Sequence, residues 1–318
     1  MRRKAFTLIE LLVAMGLLAI VMVMASTIFR VAVESYRTAK ANAEVMQKLR
    51  IITSQLDRDL QGLCQQDQAF AVCLTQPDPN NQQGHSRFDR IVFFANGDFE
   101  SYNQVQPQAG GPAKTVHGNV SLISYMLARY RASNRWIQAS RVRPSQRILA
   151  RTQHILTPEE FKDALDPNGG AKDGPKNSND WYRWHNRQEH DHMTLLDWAH
   201  LSETVKANAL SVITDVDVEG STLTADPRGA CVDPCDPNSS IHMLLCEGVG
   251  EFAVQGWKED DPNHWVPRAN AKGTLGQTSY QGSFPGQGRA LMFTFTLYDS
   301  KGILKKGRTF THIVGLSD

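Results

Sequence analysis

Lys4-Ala5-Phe6-Thr7-Leu8-Ile9-Glu10-Leu11-Leu12 stands directly behind Met1-Arg2-Arg3 and opens an apolar run that reaches about Phe29. Within that run the non-apolar residues are Thr7, Glu10, Gly16, Ser26 and Thr27. A helix of this length spans roughly 36 Å at ~1.5 Å per residue, enough to cross a hydrocarbon core of about 30 Å. Arg2, Arg3 and Lys4 precede it, and positive charge is retained on the cytoplasmic side. The expected topology is a single pass, with a cytoplasmic N-terminus and the bulk of the chain outside.

Two features set this segment apart from a conventional cleaved signal peptide. The run exceeds the usual apolar region of ~7–15 residues. It also holds a carboxylate, Glu10, and a charge at mid-membrane costs about 2.5 kcal/mol or more, so such residues persist where they have a partner. The rival reading uses Val23-Met24-Ala25 as a small-residue cleavage site and starts the mature chain at Ser26.

The stretch Lys4 to Leu12 resembles the prepilin signal shared by type IV pilins and type II secretion pseudopilins. The resemblance implies cleavage by a prepilin peptidase between Ala5 and Phe6 and N-methylation of Phe6. Glu10 then becomes the fifth residue of the mature chain, where the family carries its glutamate. One departure is Ala5, since the family usually places Gly before the cut. Cleavage uncovers a cationic amine on Phe6, and methylation keeps its charge. An ammonium and a carboxylate are each costly alone in lipid, so Phe6 of one subunit beside Glu10 of a neighbour offsets both. Repeated head-to-tail contact without closure builds a helical filament.

Downstream the helical composition continues, with no Pro before Pro77 and only Gly16 and Gly62 as interruptions. Met46, Leu49, Ile52, Leu56, Leu60 and Leu63 recur at spacings of three and four, which predicts an amphipathic helix packed on a sheet. Asp57, Arg58 and Asp59 fall among its polar positions. One helix is expected from about Phe6 to Leu60, with a transmembrane half over 6–29 and an outer half over 30–63. Strand signals then appear at Arg90–Phe94, Asn119–Leu127, Arg147–Arg151, Leu244–Val254, Arg289–Tyr298 and Arg308–Val314. Gln104–Pro112 and Asn270–Gly288 read as turns. The fold class is α+β and pilin-like: a leader over 1–5, one long helix, then a mostly antiparallel β domain over 64–318.

The order of the late strands is similar to that of the J-type minor pseudopilin. It is carried by Leu245 to Phe252, Trp257, Trp265, Arg289-Ala290-Leu291 and Arg308-Thr309-Phe310, with Ile91-Val92-Phe93-Phe94, Tyr125-Met126-Leu127 and Leu149-Ala150-Arg151 upstream. The family's Pro directly before the penultimate strand is absent here, Pro285 being the nearest. Residues 157–238 fit nothing in that order and read as an insertion, opened by Thr157-Pro158-Glu159-Glu160 in the manner of a helix start.

The insertion holds the candidate groups for other chemistry. Trp181, Trp184, His185, His190, Asp191, His192, Trp198 and His200 cluster, and His with Asp is a zinc donor set. No His-Glu-x-x-His motif accompanies them, and packed aromatics with solvated histidines account for them as well. Asp215, Asp217, Glu219 and Asp226 match calcium-loop spacing around Gly220, but the alternation from Val212 to Glu219 favours a β-hairpin. No metal or other cofactor is therefore expected. The five Cys leave one unpaired within the chain. Cys231 with Cys235, and Cys64 with Cys73, are close enough in sequence to pair, and reduced thiols are equally compatible. A formal charge of +1 from 34 basic and 33 acidic residues gives no chain-wide nucleic-acid footprint. No nucleophile elbow or phosphate-cradling glycine motif is present.

The J-type resemblance implies a structural subunit and not an enzyme, at the tip of a type II secretion pseudopilus. Its implied partners are the I- and K-type minor pseudopilins, the major pseudopilin, the prepilin peptidase and the inner membrane. Alternatives are a minor pilin of a type IV pilus or DNA-uptake system, or a secreted metal-dependent enzyme.

Overall fold

The computed structural model describes residues 8–64, 70–73, 75–77, 85–105, 112–132, 135–137, 142–157, 190–192, 196, 231–232, 244–257, 259, 264–266, 278–280 and 290–316. Helix α1 runs unbroken over Leu8–Gln61, about 80 Å at ~1.5 Å per residue. It passes through Val23–Ala25 without interruption. Its most apolar stretch of 18 residues is wholly uncovered by the rest of the chain. Burial begins at Ala41 and continues through Val45, Ile52, Leu56, Asp59 and Leu60. The expected stripe is therefore corrected at three points. Met46 is 43% exposed. Asp59, placed among the polar positions, is buried. Leu63 has left the helix and forms a β-bridge with Ala95.

The main strands are β1 (Arg90–Val105), β2 (Lys114–Leu127), β3 (Ile148–Thr157), β4 (Leu244–Glu247), β5 (Val249–Trp257), β6 (Ala290–Leu297) and β7 (Arg308–Gly315). One sheet has the order β4-β3-β2-β1, continued by Phe70–Cys73 and Thr278–Tyr280, all antiparallel. A second has the order Trp265–Val266, β5, β6, β7, again antiparallel. The layout is α+β, a long apolar helix followed by antiparallel sheets, as the residue pattern predicts. Several bounds differ. β1 extends far past Phe94 and takes in Gln104, expected in a turn. Leu244–Val254 is split by Gly248, whose φ of 79° favours glycine.

The region 157–238 also contributes to the sheets. Thr157, expected to open a helix, ends β3. His190–His192 pairs parallel with Ile155–Thr157, and Cys231–Val232 pairs parallel with Arg129–Tyr130. The stretch is stitched into the domain at these points, because an exposed strand edge offers its unpaired backbone groups to any extended segment within reach.

In the main core cluster Val45, Ile52, Leu56 and Leu60 of α1 meet the inner faces of both sheets, and Met126, Ala128, Ile148 and Ala150 form a smaller one. Phe93, Tyr125, Phe252, Phe293 and Phe295 are fully buried there. Phe93 stacks on Tyr125 at 6.4 Å, and Phe252 lies 6.1 Å from Phe293. Each such side chain contributes roughly 1.5–3 kcal/mol by leaving water. Two polar junctions set how the pieces meet. At the helix end, Asn96 N donates to Gly62 O at 2.6 Å and Cys64 N to Phe94 O at 2.9 Å. A Cβ on Gly62 would lie 2.0 Å from Asn96 O, so only glycine fits. Ahead of β1, Asp89 N donates to Phe252 O at 2.9 Å, and Val254 N donates to the Asp89 carboxylate at 2.8 Å. Arg87 Nη2 donates to Val254 O at 3.2 Å and pairs with Asp89. This buried triplet ties one sheet to the other.

Candidate functional site

The functional element that the described residues present is α1 itself, half bare and half mounted. Its bare half carries Leu8, Leu12, Leu18, Ile28 and Phe29, each more than half exposed. Such a band is stable only in lipid or against other apolar helices. Glu10 lies exposed in its first turn, where a negative charge favours the helix dipole. The span is compatible with a single-pass membrane anchor.

Three polar clamps mount the other half. Nearest the apolar run, Lys48 Nζ bonds Tyr298 O at 2.9 Å and Glu44 at 2.9 Å. Glu44 in turn accepts from Ser300 N at 2.8 Å and Ser300 Oγ at 3.1 Å. Burial works to raise the Glu44 carboxyl, but Lys48 and Ser300 together hold it below its ordinary value. Further along, His312 Nε2 meets Asp57 at 2.7 Å.

The third clamp is buried. Arg151 of β3 grips Asp59 with both arms, Nε to Oδ2 at 2.7 Å and Nη2 to Oδ1 at 2.8 Å. Tyr125 Oη donates to Asp59 Oδ2, and Gln55 Nε2 to Oδ1 at 3.0 Å. Arg151 Nη1 also donates to Gln153 at 3.0 Å. The Asp59 side chain is 1% exposed and that of Arg151 15%. Burial, then the Asp59 charge, pushes the Tyr125 phenol well above its ordinary range. Burial alone would lower Arg151, but the Asp59 hydrogen bonds and charge outweigh it and raise it. The carboxylate thus has four donor atoms converging on it, which is what keeps a buried charge tolerable.

Spacing could have located Asp59. It is three residues from Leu56 and seven from Ile52, so it lies on the apolar stripe and not opposite it. Arg151 and Tyr125 carried no such signal, because their role depends on strand register 92 and 66 residues away in sequence.

The other expected residues are placed as follows. Ala5 and Phe6 precede the described residues, and Cys235, Asp215, Asp217, Glu219, Asp226, His185 and His200 lie outside them. Cys231, His190 and His192 are described as strand backbone only. The structure does not form the Cys64–Cys73 pairing that spacing allowed: Cys64 is a free, buried thiol, as is Cys246. Burial raises both thiols, Cys246 to about 11. Among the described residues no group of three or more His, Cys, Asp or Glu could hold a metal. Past β5, Trp265–Val266 pairs antiparallel with Gly256–Trp257, and Trp257 lies edge-on to Trp265 at 5.2 Å with His264 stacked on it at 4.5 Å.

No curated protein and no solved structure matches the chain. Its start does match a known family: residues 1–26 fit the Prokaryotic N-terminal methylation motif. The chain therefore carries a prepilin-type signal on the helix just described, which implies processing by a prepilin peptidase and assembly with other pilin-like subunits.

Proposed function

We propose that this chain is a structural subunit of a pilus-like filament and not an enzyme, and within that class a J-type minor pseudopilin of a type II secretion system. One observation carries the reading: the methylation motif runs into a single 54-residue helix, bare through its apolar half and bolted to two sheets from Ala41 onward. The bare half would first sit in the inner membrane, with the N-terminus cytoplasmic and the domain periplasmic, and then move into a filament where neighbouring helices replace lipid. The order β1, β2, β3, β5, Trp265, β6 and β7 supports the J-type assignment. The expected partners are the I- and K-type minor pseudopilins and the major pseudopilin.

The role of Glu10 in this reading is to receive the methylated amine of Phe6 from an adjacent subunit, setting axial register. Mass spectrometry of the native protein tests the processing step. N-methyl-Phe at position 6 is expected, whereas a chain starting at Ser26 would overturn the proposal. Co-purification then tests the assignment: I- and K-type pseudopilins should be captured together, and capture of type IV pilus subunits instead would remove the secretion role.

A further inference from the structure

We propose that the β6–β7 turn is a membrane-contact surface that takes the anionic headgroups of the lipid leaflet facing the domain. The inference rests on α1 crossing a membrane, as above, and adds a second contact to that anchor. The turn, residues 298–307, leads from β6 into β7. Its direction follows from two contacts: Ser300 meets Glu44, whereas His312 of β7 meets Asp57. β7 thus climbs α1 away from the apolar run, and the turn lies at the end of the domain nearest that run.

The charge there is one-sided. Lys301, Lys305, Lys306 and Arg308 are all exposed. Asp299 within the turn and Glu44 beside it on α1 are both engaged in holding it. Asp299 is buried and accepts from Ile303 N at 2.8 Å and Leu304 N at 2.9 Å, and Glu44 is engaged by Lys48 and Ser300. Glu34 and Glu247 are exposed carboxylates among the described residues. On the helix, Arg37 and Lys40 are exposed too, with Tyr36 at 69% exposure beside them. Aromatic rings settle at either membrane interface, and long basic side chains beside an apolar span reach for its headgroups.

Distance permits the contact. Phe29 to Glu44 is about 22 Å along the helix at ~1.5 Å per residue, and headgroups cover roughly the first 5–7 Å of it. Lysine stems, a helix tilt of about 20° and a screening length of about 8 Å close the remainder.

The test uses the full chain in lipid nanodiscs, one set of neutral phosphatidylcholine and one containing phosphatidylglycerol. Lysine acetylation is read by mass spectrometry, with Lys114 as the internal reference. That residue lies opposite Val105, at the far end of the strand whose Ala95 bridges Leu63 beyond the helix end. Lys301, Lys305 and Lys306 should react about fivefold more slowly in the anionic discs, an effect lost in high salt. The Lys301→Gln, Lys305→Gln, Lys306→Gln variant should remain in the discs and lose the difference in reactivity at Lys40. Equal rates in both lipids would overturn the headgroup contact while leaving the anchor intact. Failure of the chain to enter discs would overturn the anchor itself. Protection in neutral discs that appears only with partner subunits would assign the turn to an acidic protein surface and refute the lipid assignment.

Discussion

Replacing Arg151 by methionine removes both arms of the grip on Asp59 while keeping an apolar stem of similar reach. Asp59 would remain buried, with only Tyr125 and Gln55 to satisfy it. Breaking a buried pair from one side costs about 3–5 kcal/mol, because the abandoned charge stays out of water. That is a large part of the roughly 5–15 kcal/mol that holds a domain folded. In a domain of this size about 2–4 °C of melting temperature accompanies each kcal/mol, so the loss should be about 6–20 °C. The double variant Asp59→Leu with Arg151→Met should recover most of it, leaving about 1–3 kcal/mol for the Tyr125 hydroxyl stripped of its acceptor. Near-UV circular dichroism of the full chain in detergent, followed with temperature, reads both effects. An Arg151→Met variant melting within a degree of the parent would refute the reasoning. So would a double variant whose loss equals the sum of the two single ones, since that would mean the two residues act independently.

Other outcomes follow from the same geometry. Glu10→Ala should leave cleavage before Phe6 intact but reduce co-purification of pilin-like partners; equal recovery of partners would contradict the register role. Ala5→Glu should block maturation, and an unchanged mature mass would count against the expected cut site. Asp299 lies below its ordinary value of 3.8, because backbone amides, led by Ile303 and Leu304, outweigh a burial effect that raises it. A depressed carboxyl stabilises the fold above its unfolded value, and that contribution is lost as pH falls through the folded one. Acid unfolding of Asp299→Asn should therefore show a shallower pH slope below 3.8 than the parent; identical slopes would refute it. Cys246, pushed up to about 11 by burial, should resist iodoacetamide at neutral pH until the domain is unfolded, and rapid labelling of the native chain would show the thiol to be accessible.

Much of this molecule is local in origin, and local patterns are readable. The apolar run, its basic flank and Glu10 specify a membrane-length helix without reference to anything distant. The absence of proline before Pro77 lets it continue to Gln61. The β-rich stretches around Ile91, Leu122, Leu149, Phe252, Phe293 and Phe310 announce strands, because alternation and β-branched or aromatic content are properties of short windows. The methylation motif is likewise a linear signal, read by an enzyme from contiguous residues.

What required the tertiary structure was every feature whose energy depends on a partner far along the chain. Asp59 sits in a polar-looking triplet, and only the register of β2 and β3 brings Tyr125 and Arg151 onto it. Arg87 and Asp89 could not be distinguished from surface charges until Phe252 and Val254 lay beside them. The strand extension past Phe94, the attachment of His190–His192 to β3 and the free state of Cys64 are of the same kind. Burial turns a charge from solvated to structural, and burial is decided by packing of the whole domain. Residues 1–40 are thus legible one window at a time, whereas the mount that holds α1 exists only once two sheets have closed around its second half.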